Sequence, residues 1–202
     1  MRMRVLLLAA GPRTAAGIDL DSGALRRLHW RATPEGPLAR YDVVEATGAT
    51  DDQLVFPLDS VVALDPKVVG HLSGRKADAY LRRLVLPESR TLLGSPGPTV
   101  AYWTLRADQP TLTLVEPSAG PVVERDRSLR FRCRFRWRRL DHDLPLTDLA
   151  VEQTLAHPSA DRLVGGTLAR ALGWRPHRLL VSLAPPRDGQ CPKVVTALLP
   201  KP

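Results

Sequence analysis

The sequence predicts an α+β protein: a predominantly antiparallel β-sheet of meanders and hairpins, with two or three short α-helices. Short strand-like runs outnumber helical ones and are joined by tight turns. The segment 128–139, SLRFRCRFRWRR, alternates Leu129, Phe131, Cys133, Phe135 and Trp137 with Arg130, Arg132, Arg134, Arg136 and Arg138. A period of two puts the two sets on opposite faces of a strand. The breakers GSPGP at 94–98 and PSAGP at 117–121 punctuate strand-like runs at 99–105, 111–116 and 128–139. Their connections are too short for a parallel crossover, so an antiparallel meander is expected.

In chain order, residues 4–10 read as a strand and the GPRTAAG that follows as a loop of small residues. Neither GxGxxG nor GxxxxGKS/T is present, so a phosphate-cradling turn is not expected there. Residues 18–20 and 24–30 pair as a hairpin around Asp21-Ser22-Gly23. Asp19 and Asp21 begin like a calcium loop, but its later ligands and closing glutamate are missing. A loop at 33–37 leads to a strand at 41–46. One or two strands follow at 54–64, where Pro57 has no amide hydrogen to donate and fits only an edge or a bulge. At 74–84, Ala77, Tyr80, Leu81 and Leu84 recur at helical spacing, predicting a helix capped by Ser73 with Arg75, Lys76, Arg82 and Arg83 on its other sides.

Past the arginine strand the alternation changes phase at Arg139-Leu140. Thr147 or Asp148 caps a short helix through Ala156. A second helix starts near Ser159 or Asp161, carries Val164, Leu168, Ala171 and Leu172 on one face and stops at Gly173. Gly165 and Gly166 each weaken it by roughly 1 kcal/mol relative to alanine. Segments 178–183 and 192–199 close the chain as a hairpin. A length of 202 residues suffices for a single buried core over 1–202, or for two lobes, 1–116 and 122–202, divided at 117–121.

The formal net charge of +8 is concentrated in one place. Residues 125–139 hold eight arginines and one acid, Asp126, whereas the remainder holds 21 basic and 20 acidic residues. Such a stripe attracts phosphate backbones or an acidic protein. A composition of 44% hydrophobic and 25% charged residues is that of a folded chain rather than a disordered tail. The two cysteines lie outside any CxxC or Cys/His spacing, which gives no support to zinc or thioredoxin-like readings. Cys133 reads as a small core hydrophobe, and no cofactor is expected. The apolar run after MRMR, from Val5 to Ala10, is shorter than the ~7–15 residues of a signal peptide's apolar region. It reads as a core strand. No run approaches the ~20 apolar residues of a membrane span, so a cytoplasmic protein without membrane partners is expected.

Three constellations bear on function. On a strand, alternate arginines stand ~6.8 Å apart, a spacing suited to successive phosphates, which give affinity without sequence information. Phe131, Phe135 and Trp137 share the opposite face, so only the charge is offered unless the sheet is open on both sides. Cross-strand acids such as Glu116 are the competing partners for those arginines. Second, LARALGWRPHRLL, with Leu168, Ala169, Leu172 and Gly173 at the turn and Arg175, His177 and Arg178 beyond it, resembles the core of a helix-turn-helix. That resemblance implies a recognition helix after Gly173, yet Leu179–Leu183 reads as a strand. Third, Asp141-His142-Asp143 sets two carboxylates on one strand face and an imidazole on the other, which cannot share one metal while the strand stays regular. A turn would bring them together as an acid–base site.

The function expected from the sequence is non-catalytic nucleic-acid binding, DNA or RNA, through Arg130, Arg132, Arg134, Arg136 and Arg138. The alternatives are a protein-interaction module for an acidic partner and an enzyme centred on Asp141, His142 and Asp143.

Overall fold

A computed structural model describes residues 1–32, 34–49, 59–87, 91–106, 109–156 and 161–202. The chain divides into two compact units, Met1–Leu84 with Pro110–Leu112 and Pro202, and Val85–Gln109 with Thr113–Lys201. Residues 117–121, where the sequence suggested a cut, lie inside the second unit.

The first unit is a closed barrel of five strands, β1 (Arg2–Ala10), β2 (Thr14–Asp19), β3 (Leu25–Trp30), β4 (Asp42–Ala49) and β5 (Ser60–His71), in the order β1-β2-β3-β5-β4. Neighbours are antiparallel except β3 and β5, which run parallel. This return of β4 beside β1 makes a Greek-key barrel of the OB type. Met3, Val5 and Leu7 of β1 alternate into the barrel and meet Ala15, Leu28, Trp30, Val44, Ala46 and Ala63. The segment expected as the loop GPRTAAG is mostly strand, because β2 starts at Thr14. Its small residues let β1 and β2 approach: a Cβ on Gly17 would fall on the Leu6 carbonyl oxygen and the Val5 side chain.

Asp19 is no ion ligand but a turn former. Its carboxylate accepts hydrogen bonds from the Asp21 amide at 3.1 Å and the Ser22 hydroxyl at 2.6 Å. Residues 54–58 of the strand expected at 54–64 lie outside the described residues; β5 runs on to His71 through a register shift opposite Glu45 and Thr47. Pro66 sits in that irregularity, where a missing amide hydrogen costs least. Helix α1 (Gly74–Leu84) keeps its predicted bounds and buries Ala77 and Leu81.

The second unit holds two four-stranded sheets. One has the order β6 (Thr99–Ala101), β13 (Gln190–Pro200), β12 (Pro176–Leu183), β7 (Leu112–Val115). The other has the order β10 (Leu140–Pro145), β9 (Phe131–Trp137), β8 (Val122–Arg125), β11 (Arg162–Val164). Among the described residues the structure is thus mostly antiparallel β with three α-helices, in agreement with the predicted class, but the single meander is corrected in two ways. A mixed barrel replaces it in the first unit. In the second, β6 and β7 stand at opposite edges of one sheet and the arginine strand belongs to another. Physically, the apolar pair β12–β13 is buried on both faces over most of its length, so it takes the centre and displaces the short strands outward. The strand expected at 99–105 ends at Ala101 and becomes a 3₁₀ turn, Tyr102–Thr104, with Trp103 exposed.

Helix α2 (Leu149–Thr154) is capped by Asp148, whose carboxylate accepts from the Val151 amide at 3.2 Å and the Leu198 amide at 2.8 Å. Helix α3 (Gly165–Leu172) begins after β11 rather than at Asp161, Ser159 lying outside the described residues, and ends on left-handed Gly173 as expected. The chain then enters β12. A strand therefore occupies the place of the recognition helix, and the helix-turn-helix resemblance is not realised.

Candidate nucleic-acid interface

The arginine strand is real over Phe131–Trp137, where its two faces are those the alternation predicts, whereas Leu129, expected on the apolar face, precedes the strand with a φ of 60° and is 72% exposed. Cys133, Phe135 and Trp137 are buried, while Arg134 and Arg136 are exposed. The register explains what the arginines meet. Asp141 lies opposite Arg136, Asp143 opposite Arg134, and Pro145 opposite Arg132 across the β9–β10 hairpin. On the other side Glu124 lies opposite Arg132, and Arg162 of β11 lies opposite Glu124.

One sheet face therefore gathers Arg132, Arg134, Arg136 and Arg162 with Glu124, Asp141 and Asp143, four guanidiniums against three carboxylates. Arg132 Nε donates to Asp143 Oδ1 at 2.8 Å, and its Nη2 to the Asp143 carbonyl at 2.9 Å. Arg134 reaches Glu124 at 2.8 Å and Asp143 at 3.4 Å. Arg136 is only 4.0 Å from Asp141, both well exposed, and Arg162 is 3.9 Å from Glu124. The acid expected as a partner, Glu116, is engaged elsewhere, by His177 at 3.0 Å and Arg178 at 3.6 Å. Exposed pairs of this kind are worth ~0–1 kcal/mol each.

The surplus of positive charge sits at the two ends of the strand. At its entry, Arg127 and Arg130 are exposed. Asp126 there is used by the loop itself, its Oδ1 accepting from the amides of Ser128 at 2.8 Å and Arg130 at 3.0 Å. At its exit, Arg138 and Arg139 form the whole two-residue turn, both with positive φ, 53° and 61°. That is the backbone sign of a type I′ turn, which glycine and asparagine favour. Arg138 lies over the Trp137 ring at 5.7 Å. Sequence reasoning missed Arg139 and Arg162 as members of the surface; a turn placed at 138–139 by the phase change would have found the first. Arg125 has a structural task, donating to the carbonyls of Leu155 at 2.9 Å and Ala156 at 2.8 Å.

Phe135 and Trp137 of the strand are core, while Phe131 is half-buried under the Arg125 guanidinium at 5.0 Å. His142 joins the core pair, stacked on Phe135 with ring centroids 5.1 Å apart. Asp141, His142 and Asp143 thus lie in a regular strand, the carboxylates with the arginines and the imidazole in the interior. All three line a cleft of about 570 Å³ with Arg134, Arg136 and Arg162, but the regular strand holds the imidazole and the two carboxylates on opposite faces and no hydrogen bond joins them. Burial, together with the positive Lys193, holds the His142 pKa below its ordinary value against the opposing pull of Asp141. Burial pushes the Cys133 thiol well up, as for an inert core cysteine. Among the described residues no group of three or more His, Cys, Asp or Glu could hold a metal ion, and no helix is long and apolar enough to cross a membrane.

No protein-family model matches the chain, and no curated protein matches it. A solved structure, drosophila Unr CSD456, is similar to it at 12% identity and a TM-score of 0.25, over 98% of this chain and 64% of that one. The chain thus spans less than two thirds of that structure's length. A likeness at this level carries no argument about fold or function.

Proposed function

We propose that the protein binds the phosphate backbone of a nucleic acid, without catalysis, along the β9–β10 hairpin. The residues are Arg130, Arg132, Arg134, Arg136 and Arg138, with Arg139 completing the tip. The observation that carries this reading is the line of arginines on one sheet face, extended by the exposed Arg127 and Arg130 at its entry and by Arg138 and Arg139 at its tip. Arg132 and Arg134 already hold carboxylates at 2.8 Å and contribute least; Arg130, Arg136 and Arg139 contribute most. Barrels of the OB type bind oligonucleotides on their β2–β3 face, but fold alone does not assign function. Here Ala16 and Ile18 of β2 are buried, and neither β2 nor β3 exposes a Phe, Tyr or Trp on which a base could stack. The reading therefore rests on the hairpin, and it favours backbone contacts over base recognition.

The test is binding of labelled single- and double-stranded DNA and RNA over a range of salt. Two variants are compared with the parent chain: Arg130→Gln/Arg136→Gln/Arg139→Gln, and Arg132→Gln/Arg134→Gln. The first set should lose at least tenfold in affinity and the second under threefold. No binding by the parent chain at low salt removes the nucleic-acid reading, and equal losses in the two sets remove the assignment to the strand ends.

A further inference from the structure

The first unit carries a groove of about 580 Å³ that the hairpin reading does not use. Its size falls within the ~300–1,000 Å³ of small-molecule sites. Its floor is apolar, from Leu20, Val43, Val69, Leu72 and Tyr80, and its polar lining holds the cations Arg4, Lys76 and Arg83 beside the His71 imidazole. No carboxylate among the described residues lines it. Arg4 has a counter-ion, Asp21 at 3.1 Å, and the His71 imidazole lies 3.0 Å from Asp42. No ion pair is found for Lys76 or Arg83 among the described residues.

Helix α1 explains how these groups come together. Ala77 and Leu81 turn inward and are buried, whereas Lys76, Ala79, Tyr80 and Arg83, at i, i+3, i+4 and i+7, all line the groove. The first turn of α1 contains Arg75 and Lys76 and no acid. Cations there oppose the helix dipole, so the positive potential at this end of the groove is high. Opposite the helix, Val69 is 53% exposed near the end of β5, leaving an apolar wall open to solvent.

We infer that this groove binds a small amphipathic organic anion of fatty-acyl or aryl type, its apolar body on Val43, Val69, Leu72 and Tyr80 and its single anionic head between Lys76 and Arg83. Apolar floor and cationic rim together select against both a neutral hydrophobe, which leaves the head site empty, and a hydrophilic phosphate, which leaves the floor wet. The site is separate in residues from the hairpin and stands whether or not the hairpin binds nucleic acid.

The groove offers a clean way to block it. Gly70 lines it, its φ is not left-handed, and a Cβ built there meets nothing within 4 Å. The full chain is titrated with 1-anilinonaphthalene-8-sulfonate and with N-phenyl-1-naphthylamine, which has the same rings without the sulfonate, followed by fluorescence. Decanoate and decan-1-ol then compete for the bound dye. The sulfonate should bind saturably and at least tenfold more tightly than the neutral amine, and decanoate should displace it where decan-1-ol does not. Lys76→Gln/Arg83→Gln should abolish that tenfold preference, and Gly70→Leu should abolish binding of both dyes, each with an unchanged circular dichroism spectrum. Equal binding of the two dyes by the parent chain, a tenfold preference that survives Lys76→Gln/Arg83→Gln, or sulfonate binding that survives Gly70→Leu, overturns the proposal. The glutamine substitutions are at exposed positions, so they test it even if Gly70→Leu fails to fold.

Discussion

Two buried polar side chains in the second unit set measurable pH dependences. His142 is buried, and its Nε2 has no hydrogen-bond partner. Because its folded pKa is depressed, the unfolded chain takes up the proton first. The stability that neutral His142 permits is complete above its ordinary value and is lost as pH falls below about 6.5. Replacing it by phenylalanine keeps the stack on Phe135 and removes both the orphan nitrogen and the titration. His142→Phe is expected to gain roughly 1–2 kcal/mol near pH 5.5 and less at pH 8, measured by denaturant unfolding. Lys193 is fully buried in β13 and donates to the carbonyls of Ser95 at 2.5 Å and Gly97 at 2.6 Å. Burial brings its pKa down to about 8. The unfolded state therefore holds the proton over a window in which the folded state releases it, and stability rises as pH increases from about 8 to about 10.5. The gain is at most about 3 kcal/mol. It should vanish in Lys193→Met, whose unfolding free energy is compared with that of the parent chain across that window. The opposite faces of Asp141 and His142 follow from a period of two and were readable in the sequence. The setting of Lys193 was not, because its acceptors are the carbonyls of a loop nearly one hundred positions away, and nothing in a strand's own residues announces them.

Elements were legible where apolar periodicity and a stop signal agreed. The α1 bounds, the Asp148 cap and the Gly173 stop were all read from local chemistry, as was the alternation of β9. What failed was register and early termination. Alternation predicts a strand over 99–105 because it does not show that the chain turns at Tyr102; likewise the sequence points to Glu116 as the arginines' partner, whereas strand register brings Asp143 and Glu124 there. The β9–β10 turn is the element most open to test. Two non-glycine residues with positive φ cost on the order of 1 kcal/mol each, partly offset by the stacking of Arg138 on Trp137. The double variant Arg138→Asn/Arg139→Gly is therefore expected to raise stability by about 1 kcal/mol in chemical denaturation. Under the proposed function it also weakens nucleic-acid binding. A more stable protein with reduced affinity means the tip is kept as arginine for its charge, whereas a stabilised variant that binds as before places the contacts elsewhere on the strand.

At the scale of the whole molecule, sheet order was hidden because β12 and β13, the last strands in sequence, enter the middle of a sheet whose edges come from β6 and β7. Contacts so distant in sequence leave no local trace. The barrel was hidden for a related reason: the parallel pairing of β3 with β5 joins runs that sequence reading treats as separate hairpins. Net charge, by contrast, was legible, but as a total that overstates the surface. Eight arginines stand at 125–139, yet Arg125 clamps the end of α2 and Arg132 and Arg134 hold carboxylates. The salt dependence of binding counts the arginines that contact phosphate, because each phosphate neutralised releases counterions in proportion. If Arg130, Arg136, Arg138 and Arg139 make the contacts, the slope of log K against log salt is about −3.6 on duplex DNA and about −2.8 on a single strand. If Arg132 and Arg134 also exchange their carboxylates for phosphate, it steepens to about −5.4 and −4.2. The steeper pair of values would mean that the ion pairs on the sheet face open on binding, with Asp143 and Glu124 released to solvent. Asp143→Asn would then tighten binding, whereas under the shallower slope it should leave the slope unchanged and serve only to loosen Arg132.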